Sequence, residues 1–105
     1  MRRGEVWWAE LPPPIGRRPA LLLSRNAAYR VRTSVTVATV TRTIRDIPVE
    51  VPLGPEDGMP TRCAVNLDNI LPIPKSRLTE RLTTLSDDKM TAVTKAIIFA
   101  LDLTV

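Results

Sequence analysis

Short apolar segments alternate with polar turns through the first 85 residues, and the apolar spacing changes only after that. Residues 20–23 are continuously apolar, which predicts a strand buried on both faces. Residues 35–40 are rich in β-branched side chains and predict the clearest strand of the chain. After Ser86, apolar residues recur every three or four positions from Met90 onward, which predicts an amphipathic helix.

Four further strands are predicted, over residues 4–10, 48–53, 63–67 and 79–85. The prolines within residues 48–53 favour an edge position, because proline lacks the N–H donor that a central strand needs. Residues 68–78, "DNILPIPKSRL", are interpreted as irregular. Many strands followed by one helix predict a mainly β, α+β fold, an antiparallel barrel or sheet with a helix packed across it. The length predicts one domain over residues 1–105.

The charge is unevenly distributed along the chain. Residues 2–45 hold nine arginines and only two acidic residues, a balance of +7, whereas residues 46–105 carry −3. Arginine binds phosphate through a planar fork of donors, so the basic half predicts a nucleic-acid partner. The alternative is an arginine-rich surface that only contacts solvent.

Residue types that are absent or rare narrow the chemistry. The chain has no histidine and a single cysteine, Cys63, which excludes the usual zinc sites and any internal disulfide. We therefore expect no metal and no cofactor. The apolar stretch after the basic start is too short for a signal peptide, and no apolar run is long enough for a membrane span. We expect a cytoplasmic protein without a membrane partner.

Arginines and a serine flank the apolar strand at residues 20–23. Arg17 and Arg18 precede it, and Ser24 and Arg25 follow it. A cation held rigidly at the start of a strand needs little further ordering to meet a phosphate. The alternative is that Arg18 caps the strand or pairs with Glu10.

Two other polar groups follow predicted strands. Thr41, Arg42 and Arg45 come after the β-branched strand, and hydroxyl donors beside arginines suit a phosphate on which charge develops. Asp68 and Asn69 follow residues 63–67, where an amide is able to read the edge of an unstacked base. The alternatives are a polar loop for the first group and a local turn for the second.

Trp7 and Trp8 are adjacent in a predicted strand and must therefore point to opposite faces. We expect one of them in the core. The other is then able to stack on a base or to face a partner subunit.

Five segments together resemble the MazF/PemK family of toxin endoribonucleases. They are "RGEVWWAEL", "RRPALLLSRNAAYR", "VTVATVTRT", "CAVNLDNI" and "RLTERLTTLS", and they follow one another over nearly the whole chain. The resemblance implies a small, partly open β-barrel with a C-terminal helix, forming a homodimer. It implies metal-independent, sequence-selective cleavage of single-stranded RNA by the RNA's own 2′-OH, leaving a cyclic phosphate and a 5′-OH.

The resemblance also assigns roles and partners. Arg18 would stabilise transition-state charge, with protonation of the leaving oxygen as an alternative role, and Thr41 would hydrogen-bond the scissile phosphate. Ser24, Asp68 and Asn69 would match the family's substrate-binding positions. With Arg17, Arg25, Arg42 and Arg45 from the residue patterns, these complete the expected site. The implied partner is a cognate antitoxin whose flexible tail covers the RNA groove and with which the toxin binds DNA.

Two departures from the family pattern leave alternatives open. The loop "LPPPIG" is short, and Leu71 stands where many relatives have an arginine, a charge that Arg42 or Arg45 would then supply. A chain weakened in these ways would be a non-catalytic RNA-binding or antitoxin-sequestering protein of the same fold. A third possibility is a toxin that targets a protein.

Overall fold

The computed structural model describes residues 1–104, which form one six-stranded antiparallel sheet and two helices. In chain order the elements are β1 (Glu5–Glu10), β2 (Arg17–Leu22), α1 (Ala28–Val31), β3 (Ser34–Thr41), β4 (Glu50–Leu53), β5 (Cys63–Pro74), β6 (Leu78–Thr84) and α2 (Asp87–Ala100). Short 3₁₀ turns lie at Pro55–Asp57 and Lys75–Arg77.

The strand order across the sheet is β4-β5-β3-β2-β1-β6. Every pairing is antiparallel, and the sheet curves into a half-barrel. This confirms the predicted mainly β, α+β fold with a C-terminal helix. It also confirms the edge position predicted for residues 48–53, because β4 lies at one end of the strand order, next to β5.

Apolar side chains are buried on both faces of the sheet. On one face, Leu21 packs in a cluster with Val93 and Ala96 of α2, which we call the helix-side core. On the other face, Ala20 and Leu22 belong to a second cluster, the outer core. Burial on both sides explains why residues 20–23 show no alternation.

β5 is longer than the sequence predicts, and the interpretation of residues 68–78 as irregular is wrong for most of that range. Residues 70–74 continue β5 and pair with β3, up to Pro74 opposite Ser34. The last backbone contact on the β4 side is the Leu67 N–H donating to the Val49 carbonyl at 2.8 Å, and beyond it no strand within residues 1–104 pairs with that side of β5. Pro72 and Pro74 are tolerated there because a proline without an N–H fits a strand that lacks a second neighbour.

The terminal helix begins where the sequence predicts. The Ser86 Oγ accepts a hydrogen bond from the Lys89 N–H at 3.2 Å, and Asp87 and Asp88 lie in the first turn, beside the positive end of the helix dipole. The helix ends at Ala100, so Leu101, the last residue of the predicted apolar stripe, lies just beyond it and is exposed. Within residues 1–104, no helix is both long enough and apolar enough to cross a membrane.

Candidate active site

Two adjoining cavities lie at the end of the sheet where β2 begins and β3 ends. The first has a volume of about 520 Å³ and the second about 440 Å³, and Ile15 and Arg18 line both. Six of the predicted site residues lie in these walls. They are Arg17, Arg18, Thr41 and Arg42 in the first cavity, and Arg18, Asp68 and Asn69 in the second.

The two neighbouring arginines differ in how their charge is compensated. The Arg17 Nε lies 3.3 Å from the Glu10 Oε1, and its Nη2 lies 3.7 Å from the Glu80 Oε2. Arg18 is exposed, and within residues 1–104 it has no ion-pair partner. The alternative that Arg18 pairs with Glu10 is therefore not realised, because Arg17 takes that position. Arg18 holds the charge that is free to meet a phosphate.

Thr41 closes β3 with its hydroxyl in a defined orientation. Its Oγ1 accepts a hydrogen bond from the Thr43 N–H at 3.1 Å. A hydroxyl has one proton to donate besides its acceptor positions. Since the turn uses only an acceptor position, the Thr41 proton is available to a ligand in the first cavity.

Asp68 and Asn69 are exposed in the wall of the second cavity. The alternative for these residues was a local turn formed by their own side chains. The side chain that forms this hydrogen bond is that of Asn66, whose buried Oδ1 accepts from the Asp68 N–H at 2.9 Å. The side chains of Asp68 and Asn69 are thus left for other partners. Leu71 lines the same cavity and packs against the outer core, so its position contributes no charge.

Ser24 and Arg25 lie at the opposite end of β2. They are six and seven residues beyond Arg18, and six strand residues span about 20 Å. Neither residue lines the two cavities. The Ser24 Oγ instead accepts a hydrogen bond from the Thr36 N–H at 2.8 Å, which extends the pairing of β2 with β3.

Replacing Ser24 by alanine is expected to lower stability rather than to impair substrate handling. The change leaves the partly buried Thr36 N–H without its acceptor, which costs about 1–3 kcal/mol of unfolding free energy. Urea unfolding of the Ser24→Ala variant measures this loss. A cleavage defect at full folding and unchanged stability would instead place Ser24 at the substrate.

Arg45 is exposed and lines neither cavity. Its backbone N–H and that of Asp46 both donate to the Glu50 Oε1, at 2.8 and 3.2 Å. Glu50 is 7% exposed, and its Oε2 has no hydrogen-bond partner within residues 1–104. Glu50 therefore anchors the β3–β4 loop from below. Of the two arginines in this loop, only Arg42 reaches a cavity wall.

Replacing Glu50 by alanine is expected to loosen the β3–β4 loop. Two backbone donors lose their shared acceptor, which we expect to cost about 1–3 kcal/mol. Hydrogen exchange at the Arg45 and Asp46 amides should accelerate. Glu50→Gln, which keeps an acceptor oxygen, is the matched control, and equal exchange in the two variants would contradict the anchoring role.

The tryptophans point in opposite directions, as their spacing predicts. Trp7 packs against the outer core, and its indole N–H donates to the buried Glu5 Oε1 at 3.0 Å. Burial by itself would raise the pKa of Glu5, but hydrogen bonds from Trp7, the Arg2 N–H and Arg81 bring the pKa below its usual value. Trp8 lines the first cavity.

The β4–β5 connection supplies cavity walls that sequence reasoning missed, namely Met59, Pro60 and Thr61. Cys63 also lines the first cavity, but burial, with the charge of Asp57, raises the pKa of its thiol. A thiol of this kind stays protonated near neutral pH and is a poor nucleophile.

Within residues 1–104, no three His, Cys, Asp or Glu residues are grouped so as to hold a metal ion.

Comparison with known proteins relates this chain to a family of toxins. Residues 2–101 match the family model described as the PemK-like, MazF-like toxin of type II toxin–antitoxin systems. The probable endoribonuclease MazF5 of Mycobacterium tuberculosis is 45% identical over 101 residues, which is 95% of this chain and 92% of the relative.

Two solved structures superpose with a TM-score of 0.89. One is the M. tuberculosis toxin MazF-mt6, at 32% identity over 96% of this chain and 99% of the other. The second is an endoribonuclease from a mycobacterial species in complex with its cognate antitoxin, at 33% identity over 100% and 98% of the two chains. The chain therefore belongs to the PemK-like, MazF-like family of type II toxin–antitoxin toxins.

Proposed function

We propose that this protein is a toxin endoribonuclease that cuts single-stranded RNA without a metal ion. The observation that carries the proposal is the unpaired charge of Arg18 at the wall shared by two cavities, one holding Thr41 and the other Asp68 and Asn69. A phosphate at Arg18 would have a hydroxyl donor on one side and exposed polar groups for a base on the other.

The reaction forms one bond and breaks another at the same phosphorus. The ribose 2′ oxygen bonds to phosphorus and loses its proton to solvent, while the bond to the 5′ oxygen breaks and that oxygen takes up a proton. The products are a 2′,3′-cyclic phosphate and a 5′-OH end. Arg18 carries a positive charge, and its role is to stabilise the charge that develops on the non-bridging oxygens. Thr41 donates a hydrogen bond to the same phosphate.

Sequence selectivity would arise in the second cavity. Amide and carboxylate groups read the edges of unstacked bases, which favours single-stranded substrate. Arg42 would supply, from the wall of the first cavity, the positive charge that Leu71 does not supply in the second. The compact β1–β2 turn is closed by the Leu11 N–H donating to the Gly16 carbonyl at 3.1 Å, and its Ile15 lines both cavities.

The protein partner would be a cognate antitoxin. The mycobacterial relative bound to its antitoxin supports this proposal, and the arginine-rich N-terminal half suits an acidic tail lying over the same cavities. We also propose a homodimer that works in the cytoplasm and binds DNA with its antitoxin. Sedimentation of the purified toxin at several concentrations tests the dimer.

The test of the function is an RNA-cleavage assay in the presence of EDTA. Purified protein is incubated with a long unstructured RNA, and the new ends are mapped and analysed chemically. Cleavage at defined sites with 5′-OH and cyclic phosphate ends is expected. Loss of all cleavage on chelation would contradict the metal-independent mechanism.

Two other results would point to the competing functions. Binding of RNA without cutting would indicate a sequestering protein of the same fold. Neither binding nor cutting, across several RNAs, would indicate a protein target. The salt dependence of binding separates these partners, since RNA binding weakens steeply with salt.

A further inference from the structure

Five side chains from three neighbouring strands form a patch on the helix-side face of the sheet, at the mouth of the first cavity. In the sheet register, Trp8 lies opposite Glu80 of β6 and Pro19 of β2, and Glu10 lies opposite Arg17. Alternation along β1 and β2 places all of them on one face. The patch is therefore fixed by strand pairing rather than by a loop.

The centre of the patch is a stack of Arg17 on Trp8. The guanidinium carbon of Arg17 lies 4.3 Å from the centroid of the Trp8 ring, well within the range of a cation–π contact. Glu10 and Glu80 hold the same guanidinium at 3.3 and 3.7 Å. The ring beneath and the carboxylates at its edge together restrict the orientation of the guanidinium plane.

This environment makes Arg17 a poor phosphate ligand. Two carboxylates already compensate its charge, and a phosphate would have to displace them or lie beside them. Arg17 nevertheless keeps 47% of its side-chain surface exposed, and it lines the cavity that holds Arg18 and Thr41. What it offers to that cavity is a flat, oriented, charge-compensated surface.

We propose that the Trp8–Arg17 stack is a subsite that binds one nucleobase of the RNA by stacking, next to the scissile phosphate. Unpaired bases in RNA stack on aromatic rings and on guanidinium planes, and such stacking tolerates any base because each has a π face. A purine presents the larger face and binds better. The inference deepens the proposed function and rests on RNA being the substrate.

The test compares Arg17→Lys with wild type on RNA that carries or lacks one base. Lysine keeps the positive charge but has no planar guanidinium. The variant therefore distinguishes a role of Arg17 in stacking from a role that depends only on its charge. The cut site is first mapped with wild type, and short RNAs are then made with an abasic residue at each flanking position in turn. Arg30→Lys is the matched control, since Arg30 is an exposed arginine of α1 outside both cavities.

For Arg17→Lys we expect KM to rise about tenfold while kcat stays within about twofold. At one flanking position the abasic RNA should raise the wild-type KM similarly and should remove the difference between wild type and variant. The preference for a purine at that position should be lost in the variant. Trp8→Leu should give the same pattern. Since the charge is kept, the salt dependence of binding should not change.

Two outcomes would overturn the inference while leaving the proposed function intact. One is an unchanged KM for Arg17→Lys on RNA that wild type cuts. The other is a rise in KM that persists on every abasic RNA, which would indicate a backbone contact. If wild type cuts nothing, tryptophan fluorescence titrations with intact and abasic RNA test the base subsite independently of cleavage. Binding that depends on the base and is weakened by Arg17→Lys supports the subsite. Any other result rejects it.

Discussion

Arg18→Ala is expected to lower the single-turnover rate of RNA cleavage by about 100- to 1,000-fold. The side chain is exposed, has no ion-pair partner within residues 1–104, and lines both cavities. Its removal would take away the positive charge that we propose meets the phosphate oxygens as negative charge develops on them. Folding should be unaffected, because an exposed side chain without a partner contributes little to stability.

The Arg18 prediction has two internal controls. Arg18→Lys should recover part of the rate, because it restores the charge without the planar fork. Arg30→Lys should cut like wild type. A fully active Arg18→Ala variant would remove Arg18 from the catalytic site and would favour a different cavity wall for the phosphate.

Thr41→Val is expected to slow cleavage by about 100-fold, with a smaller effect on substrate binding. Valine has nearly the shape of threonine and lacks the hydroxyl, so the change removes a hydrogen-bond donor from the wall of the first cavity. It also removes the acceptor for the Thr43 N–H, which adds a modest cost in stability. Rates measured at saturating RNA isolate the chemical step.

The matched control for Thr41→Val is Thr94→Val. The Thr94 hydroxyl donates to the Met90 carbonyl within α2, on an exposed surface away from both cavities. Its loss should leave cleavage unchanged. If Thr41→Val raised KM and left the rate at saturation unchanged, Thr41 would bind the ground state and would have no special role in the transition state.

Local sequence patterns were sufficient to predict the main elements of the fold. β3 could be predicted from its short run of β-branched residues, and the start of α2 from its serine cap. Each prediction needs only a few neighbouring residues. The second half of β5 could not be predicted in this way. Its two prolines argue against a strand. They are permitted because, in the described part of the chain, β5 has no second strand neighbour beyond Leu67, which is a property of the whole sheet.

Some features of the candidate site could likewise be predicted from the sequence, whereas others depend on tertiary structure. The positions of Arg18 and Thr41 at strand ends follow from the chain itself. The sequence assigns Arg18 a catalytic role and Arg17 substrate binding, but it does not show that Glu10 and Glu80, the latter 63 residues away, both compensate the charge of Arg17. Glu50 gave no local signal at all, since its burial beneath the β3–β4 loop arises from tertiary packing.

β1 and β6 are the first and the last strands in the sequence, and they pair with each other in the sheet. Val6 lies opposite Thr83, and the Thr79 hydroxyl donates to the Trp8 carbonyl across 71 positions of sequence. Contacts of such long separation form late and slow the folding of a domain. During synthesis, the ribosome must release almost the whole chain before β6 reaches β1. In a growing chain, Trp8 and Arg17 of the first cavity therefore lack Glu80, and this wall of the cavity is completed only when translation is nearly finished.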